Sequence, residues 1–492
     1  MKKYLSIIFA TLAIAGSSCK KDYLELSTNP NQPVTTTPQL ALTGALKTTA
    51  DITNGGGFVM YANWMGYLSW STGFQANVAL ESYQITSATY DVWTPLYLNI
   101  SNYNALKAST TQPYYQAIAE IMTVFDYEAL VDNYNNVPYT EALQGTKNLN
   151  PKYDKGSAIY DDLLKRIDAA IASIQNNQKA AVPPASPGKE DIMYQGDMTK
   201  WLKFANTIKL RIALRQSNVT AKTAALKAAV AATQSIGYID ASSAAKVNPG
   251  YLNSDATGGQ QSPLWRNYGT TQNGGSQANK NQYQANTYGA TKLTQNSDVR
   301  GFAVYLPTST GTISSTKFGE TQPPAVAPSK VGTGLLQSPT MNAVIMSASE
   351  ALFLQAEGVK SGYITTSGLS VTTLYNAGIS ASYADLALTT DQANTYIAAN
   401  PYPAAGSDAA QEQAIINEKW KALAIYGALE AFNEYRRTGY PNDIPLSIYP
   451  GANPPNQVTR IPYPSVEYQT NAANVAGEGT ISVFTSKIFW AK

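Results

Sequence analysis

The chain has 492 residues, of which 14% are charged, and its formal net charge is +2. Charge this sparse and balanced forms no basic face for nucleic acid. With no histidine and one cysteine, the chain cannot build a Ser-His-Asp hydrolase, a Cys-His protease, a His-based zinc site or an intrachain disulfide. Among the common hydrolytic mechanisms, glycoside hydrolysis by a pair of carboxylates is not excluded by this composition. The excess of tyrosine (33, with 7 Trp against 11 Phe) suits wet binding surfaces.

The first 18 residues predict a secretory signal, because Lys2 and Lys3 precede an apolar stretch too short to span a bilayer. Small residues then lead to Cys19, in a run that resembles the lipobox of bacterial lipoproteins. We expect Cys19 to be acylated and to hold the protein on a membrane, since each buried methylene contributes about 0.8 kcal/mol. The alternative is an ordinary cleaved signal followed by an unmodified thiol. Residues 19–38 are predicted to act as a tether.

Residues 39–492 show recurring helical periodicity, and we interpret them as one domain. Apolar residues repeat at three- and four-residue steps within 110–134, 196–216, 338–362, 372–386 and 407–439. Pro113 suits a first helical turn, Asp197 or Thr199 offers an N-cap, and Gly439 is expected to close one long helix. The predicted fold class is mainly α, built from tetratricopeptide-like helix pairs with few short strands.

The character of the sequence changes between about residues 247 and 337. This segment has little periodicity and is rich in Asn, Gln, Gly and Tyr. An irregular stretch of this length inside a helical protein favours a functional, loop-rich insertion. The alternative is a floppy low-complexity insertion, against which the large rings of Trp265, Tyr268, Tyr283 and Tyr288 argue.

Five blocks along the chain resemble the SusD/RagB family of surface lipoproteins, which capture nutrients for outer-membrane transporters. They are "LVDNYNNVPYTEAL" (130–143), "DIMYQGDMTKWLKFANTIKLRIALR" (191–215), "SASEALFLQAEGVKSGY" (347–363), "INEKWKALAIYGALEAFNEYRRTGYP" (416–441) and "VTRIPYPSVEYQTN" (458–471). With the lipobox, these blocks occur in the family's order. The chain is most similar to the SusD-like branch, which includes many proteins of unassigned ligand.

The resemblance implies an α-helical scaffold of four tetratricopeptide-like pairs and a variable face built from inserted loops. It implies a SusC-like, TonB-dependent barrel as partner, and no cofactor and no catalytic residue. Lys20, Lys21 and Asp22 look like the charged export signal that sends lipoproteins to the outer face of the outer membrane. The implied location is therefore the cell exterior, with the lipid on Cys19 as anchor.

The first candidate ligand region is residues 55–97, which begins "GGGFVMYANWMGYLSWSTGF". Trp64 lies at helical spacing, which favours packing, whereas Trp70 and Phe74 fall in a Ser/Thr/Gly/Asn context typical of a loop. Trp70, Phe74, Asn77 and Tyr83 are the predicted contacts here. In SusD-like proteins a tryptophan early in the chain helps to stack on sugar, but no motif carries that role to Trp70, so a packing role remains open.

The second candidate region is the insertion, with Trp265, Arg266, Tyr268, Tyr283 and Tyr288 as predicted contacts. A sugar presents an apolar C–H face, which a ring can cover, and a rim of hydroxyls, which Asn, Gln and Arg can satisfy. Both kinds of side chain occur in this segment.

Three functions remain open. The first is a non-catalytic surface receptor for oligosaccharide, and the second is the same receptor for peptides or another non-glycan nutrient. The third, a surface glycoside hydrolase, would need two carboxylates. Glu350, Glu357 and Glu430 lie in predicted scaffold helices, where we expect salt bridges rather than catalysis. Turns at 252–259 and 296–301 carry oxygen ligands without the spacing of a Ca²⁺ loop, so no metal site is predicted.

Overall fold

Helices dominate the computed structural model, which describes residues 36–256, 259–366 and 368–492. In chain order they are α1 Pro38–Asn54, α2 Val59–Trp64, α3 Val78–Glu81, α4 Trp93–Ala108, α5 Pro113–Tyr134, α6 Gly156–Gln178, α7 Met198–Arg215, α8 Thr223–Thr233, α9 Pro263–Tyr268, α10 Ala278–Gln282, α11 Thr287–Lys292, α12 Arg300–Val304, α13 Ala348–Lys360, α14 Val371–Asp385, α15 Thr390–Ala399, α16 Asp408–Ala422, α17 Ala428–Thr438, α18 Ser465–Thr470 and α19 Ala472–Ala476. Cys19, the signal segment and most of the tether lie outside the described residues. Within the described ranges, no helix combines the length and hydrophobicity needed to cross a membrane.

Four successive helix pairs form the scaffold: α4 with α5, α6 with α7, α13 with α14, and α16 with α17. Neighbouring pairs pack on one another, so that α1, α4, α5, α6, α7, α13 and α14 follow in one continuous array. A large hydrophobic core lies along this array, and a second cluster lies between α13, α14, α15 and α16. The predicted mainly α-helical fold class is confirmed.

The ends of these helices follow local chemistry. Pro113 occupies the first turn of α5, where its missing N–H costs nothing. Asp197 caps α7 by accepting hydrogen bonds from the backbone N–H groups of Thr199 and Lys200, at 3.0 and 3.1 Å. Gly439 ends α17 with φ +83°, a left-handed conformation that glycine adopts without steric cost.

The single long helix expected over 407–439 is wrong, because the chain breaks into α16 and α17 at residues 423–427. Ile425 has φ +68°, which no helix interior accommodates. The bend brings buried Lys419 to within 2.8 Å of buried Glu434. In a continuous helix those residues would lie about 22 Å apart along the axis, so the ion pair requires the break.

Short strands tie distant segments together in pairs. They are β1 Leu68–Trp70, β2 Val137–Pro138, β3 Tyr153–Asp154, β4 Ala245–Val247, β5 Tyr283–Ala285 and β6 Ala343–Met346. The pairs are β1 with β5, β2 with β3, and β4 with β6, all antiparallel. The predicted insertion (247–337) holds β5 and only short helices, and it packs Tyr268, Tyr283, Tyr305 and Phe318 into the core.

Candidate ligand-binding site

Two short strands bring the two candidate ligand regions together. β1 pairs with β5 so that Trp70 lies opposite Tyr283. The Trp70 ring meets the Tyr283 ring edge-on, with centroids 5.1 Å apart, and the Phe74 ring at 6.3 Å. Phe74 is 44% exposed, Trp70 is half-buried and Tyr283 is buried. We call Trp70, Phe74 and Tyr283 the aromatic platform.

Backbone hydrogen bonds hold the platform rings in place. The indole N–H of Trp70 donates to the carbonyl oxygen of Gln75 at 2.9 Å. The N–H of Phe74 donates to the carbonyl of Ser71 at 3.1 Å, and the N–H of Ser71 donates to the carbonyl of Gln282 at 2.8 Å. The loop that carries Phe74 is therefore fastened both to itself and to the segment before β5. Preorganisation of this kind lowers the entropic cost of binding.

Asn77 caps the short helix that follows the platform. Its Oδ1 accepts a hydrogen bond from the N–H of Leu80 at 3.2 Å, and its own N–H donates to the Glu81 carboxylate at 3.0 Å. Burial raises the pKa of Glu81 to about 7. The Asn77 acceptor is therefore used within the fold, and ligand contact at Asn77 stays a prediction.

Tyr83 and Tyr268 lie in the core, although the sequence placed them among surface contacts. Each is 3% exposed. The Tyr83 ring packs edge-on against Phe318, and its hydroxyl accepts a hydrogen bond from the N–H of Ser447 at 3.1 Å. The Tyr268 ring meets the Tyr283 ring edge-on, with centroids 6.3 Å apart. With their faces covered, both rings support neighbouring aromatics and present no stacking surface to a ligand.

Trp265 and Arg266 lie on α9, beside α1, and both are half-buried. The indole N–H of Trp265 donates to the carbonyl of Thr270 at 2.9 Å. Arg266 pairs with Asp51 at 3.0 Å and donates to the carbonyl of Gly259 at 3.0 Å. These bonds fasten the insertion to the scaffold, so that a ligand at Arg266 would have to share a guanidinium already in use.

Tyr288 lies apart from the platform, at the wall between two clefts of about 330 and 430 Å³. Its hydroxyl donates to the Asp443 carboxylate at 2.6 Å, and its ring meets Trp420 edge-on at 5.4 Å. Sequence reasoning missed both clefts, because their walls combine several segments that span about 150 residues of the chain.

Polar residues that sequence analysis did not name lie next to the platform in the chain, Gln75 after Phe74 and Asn281 before β5. Asn281 and Gln75 are exposed. Lys330 donates to the carbonyl of Asn281 at 3.4 Å, and burial together with nearby Lys280 lowers the pKa of Lys330. The Asn/Gln-rich composition of the insertion was the available signal, but composition does not rank individual residues.

The three candidate acids form buried ion pairs in the scaffold, as expected. Arg211 lies 3.2 Å from Glu350, Arg437 lies 2.7 Å from Glu357, and Arg215 pairs with Glu430. Among the described residues, no cluster of His, Cys, Asp and Glu could hold a metal ion. These three carboxylates are thus engaged in holding helices together.

Comparison with known proteins gives the same overall architecture. A family model for SusD-like proteins, described as "Starch-binding associating with outer membrane", matches residues 30–464. The chain belongs to the SusD-like family. The resemblance to SusD/RagB proteins inferred from the sequence is thereby confirmed.

Solved structures of other SusD homologues share the fold. A SusD homologue from Bacteroides uniformis has 22% identity and a TM-score of 0.73, and the match covers 92% of this SusD-like chain and 99% of the homologue. A chitin-binding SusD homologue from Flavobacterium johnsoniae has 21% identity and a TM-score of 0.76, with 91% and 98% covered. A structure described as a chitin-binding protein has 23% identity and a TM-score of 0.72, with 92% and 99% covered. Among curated protein sequences, no relative matches the chain.

Proposed function

We propose that this protein is a non-catalytic surface lipoprotein that binds oligosaccharide and delivers it to a SusC-like, TonB-dependent transporter of the outer membrane. The observation that carries this proposal is the aromatic platform, in which a 44%-exposed Phe74 stands beside a half-buried Trp70. Rings with this exposure can cover the C–H face of a sugar. The exposed amides of Asn281 and Gln75 can meet its hydroxyls.

Membrane attachment is proposed through acylated Cys19, followed by the tether of residues 19–38. The family description, which places its members in association with the outer membrane, supports this arrangement. The charged residues Lys20, Lys21 and Asp22 support export to the outer face. Delivery to a barrel transporter would then require release as well as capture, which suits the moderate affinity of an open platform.

The ion pairs formed by the three candidate acids favour a binding role over catalysis. Glu350, Glu357 and Glu430 each face a buried arginine. A glycosidase needs two carboxyl groups that flank a sugar bond, about 5–10 Å apart and accessible to substrate. Buried, paired carboxylates do not meet that requirement.

Calorimetry of the full chain tests the ligand class. Starch and chitin appear in the descriptions of the family and of solved relatives, so maltooligosaccharides and chitooligosaccharides are the first probes, with a peptide digest alongside. We expect saturable glycan binding that weakens about fivefold to 150-fold in Trp70→Ala and Phe74→Ala, because each removes about 1–3 kcal/mol of apolar contact. Tyr468→Ala is the matched control, since its ring is also 44% exposed but contacts no platform ring.

Two outcomes would change the proposal. Heat released by peptides and by no glycan would retain the receptor role and replace the ligand class. Glycan binding that is weakened equally by Tyr468→Ala and Trp70→Ala would remove the platform as the site. The partnership is tested separately, by co-purification of the full chain with a SusC-like barrel protein from the same cells.

A further inference from the structure

A second candidate site lies at the smaller cleft beside Tyr288. Its volume of about 330 Å³ is at the lower end of the range for small-molecule sites, roughly 300–1,000 Å³. The cleft opens between α11 and the helices α14, α15 and α16, along the seam between the two hydrophobic clusters. Four aromatic residues and four amides line it, among them Tyr288, Trp420, Gln295, Asn296, Asn400 and Asn417. No platform residue contributes to it.

The charged groups in the cleft are matched, so its walls carry no spare charge. Lys421 lies 3.1 Å from Glu418 and 3.3 Å from Asp298. Lys292 lies 2.6 Å from Asp443. An anion or a cation entering the cleft would have to break one of these pairs. The cleft therefore suits an uncharged ligand.

The amides in the cleft are only partly used by the fold. Asn400 donates to the carbonyls of Asn296 and Tyr396, at 3.0 and 2.9 Å. By contrast, the buried Oδ1 of Asn417 accepts no hydrogen bond from any described residue. A buried acceptor without a partner costs about 1–3 kcal/mol. A ligand donor would recover that cost once the Asn417 side chain, which lines the cleft, turns its oxygen toward the cleft. The side chain of Gln295 likewise makes no hydrogen bond within the described ranges and remains available.

Apolar surface in the cleft alternates with these amides. Tyr288 and Trp420 meet edge-on, and Pro401, Pro403 and Pro441 close the remaining sides. Trp420 is held rigidly, because its ring stacks on Tyr67 at 4.6 Å and its indole N–H donates to the carbonyl of Met65 at 3.0 Å. Because Trp420 is only 2% exposed, half-buried Tyr288 is the ring of this pair that retains exposed surface. A neutral ligand with hydroxyl donors and a C–H face matches that ring together with the amides.

We propose that this cleft is a second saccharide subsite, which binds a short, uncharged segment of an oligosaccharide through the amides of Asn417 and Gln295. For the class of ligand, this inference rests on the proposed function. A glycan engaged at both the platform and the cleft would be held by two weak contacts, whose combined affinity exceeds that of either.

The experiment titrates the full chain with maltotriose and triacetylchitotriose, by calorimetry and by tryptophan fluorescence. Trp70→Ala disables the platform and leaves Trp420 as a reporter in the cleft wall. We expect saturable binding to remain in Trp70→Ala, and to weaken about threefold to tenfold when Asn417→Ala or Gln295→Ala is added, as for the loss of one neutral hydrogen bond. Asn394→Ala is the matched control, because Asn394 is exposed on α15 and does not line the cleft.

The outcomes separate the two sites. If Trp70→Ala abolishes all binding, the second subsite is refuted while the platform stands. If binding survives in Trp70→Ala but Asn417→Ala and Gln295→Ala do not weaken it, the cleft is also refuted. If Asn417→Ala and Gln295→Ala weaken binding whereas Trp70→Ala does not, the cleft is supported and the platform fails. If neither sugar binds the unmodified chain, the saccharide class fails for both sites.

Discussion

Arg211 offers the sharpest test of what holds the helix array together. This residue of α7 is 4% exposed, and its guanidinium lies 2.7 Å from Glu128 of α5 and 3.2 Å from Glu350 of α13. Glu430 of α17 is 3.9 Å away. Burial raises the pKa of Glu128 to about 7 even though Arg211 acts to lower it. One cation therefore compensates carboxylates from three helices.

We expect Arg211→Met to lower the free energy of unfolding by about 3–5 kcal/mol at pH 8, because it leaves buried carboxylates without their cation. Lys203→Met is the matched control on the same helix. Lys203 pairs with Asp240 at 2.6 Å, but the side chains are 26% and 45% exposed. Removing a pair this exposed should cost no more than about 1 kcal/mol.

The effect of Arg211→Met should also depend on pH, with a definite sign. A carboxyl whose pKa is higher in the folded than in the unfolded state favours the folded state at low pH, and that contribution is lost as pH rises between the two values. Without Arg211, the pKa of Glu128 rises further. The deficit of the variant should therefore shrink as pH falls from 8 to 5, by at most about 1.4 kcal/mol for each unit that the pKa has moved.

Urea unfolding followed by tryptophan fluorescence, at pH 8 and pH 5, measures both effects. A loss in Arg211→Met no larger than that in Lys203→Met would refute the compensating role of Arg211. An equal deficit at the two pH values would refute the account of Glu128 titration.

Three further predictions concern stability. Asp191 is fully buried and accepts hydrogen bonds from the indole of Trp201, at 2.8 Å, and from backbone N–H groups. Asp191→Ala should therefore lower the free energy of unfolding in urea by about 3 kcal/mol, and a decrease under 1 kcal/mol would contradict this. A Cβ on Gly289 would lie 2.3 Å from the buried hydroxyl of Tyr305, so Gly289→Ala should lower the free energy of unfolding by about 1–3 kcal/mol. Gly44 has open space around it in α1, so Gly44→Ala should stabilise the protein. Equal melting temperatures of the two variants would refute the steric argument. Burial raises the pKa of Glu81 to about 7, so the contribution of Glu81 to the stability of the unmodified chain should fall between pH 5 and pH 8. The melting temperature of Glu81→Gln should therefore exceed that of the unmodified chain at pH 8 only. A higher melting temperature at both pH values would count against this assignment.

Local signals in the sequence predicted some of the long helices closely, whereas Gly156–Gln178 was not singled out and the segment 338–362 began in what is strand β6. The expected segments 110–134 and 196–216 became Pro113–Tyr134 and Met198–Arg215, since an apolar stripe, a first-turn proline and a cap act within a few residues. The expected helix over 407–439 failed for the opposite reason. The helix breaks where an ion pair forms between Lys419 and Glu434, and the spacing of apolar residues carries no information about that contact.

The candidate site shows the same division. Aromatic and amide composition pointed to both ligand regions, but from the sequence alone they were two separate candidate sites. Trp70 and Tyr283 lie 213 residues apart and meet through three-residue strands, too short for a period-two pattern to stand out. Tyr83 and Tyr268 could not be told from surface rings, because tyrosine occurs in both settings.

The sequence by itself therefore determined the helical class, the ends of a few long helices, the family and the prediction of a lipid anchor. Each of these follows from patterns within a short window or from motifs in a fixed order. The tertiary structure alone decided that Trp70, Phe74 and Tyr283 form one platform, that Tyr288 belongs to separate clefts, and which carboxylates share Arg211. These facts depend on contacts between residues far apart in the chain, which packing selects and local propensity does not encode.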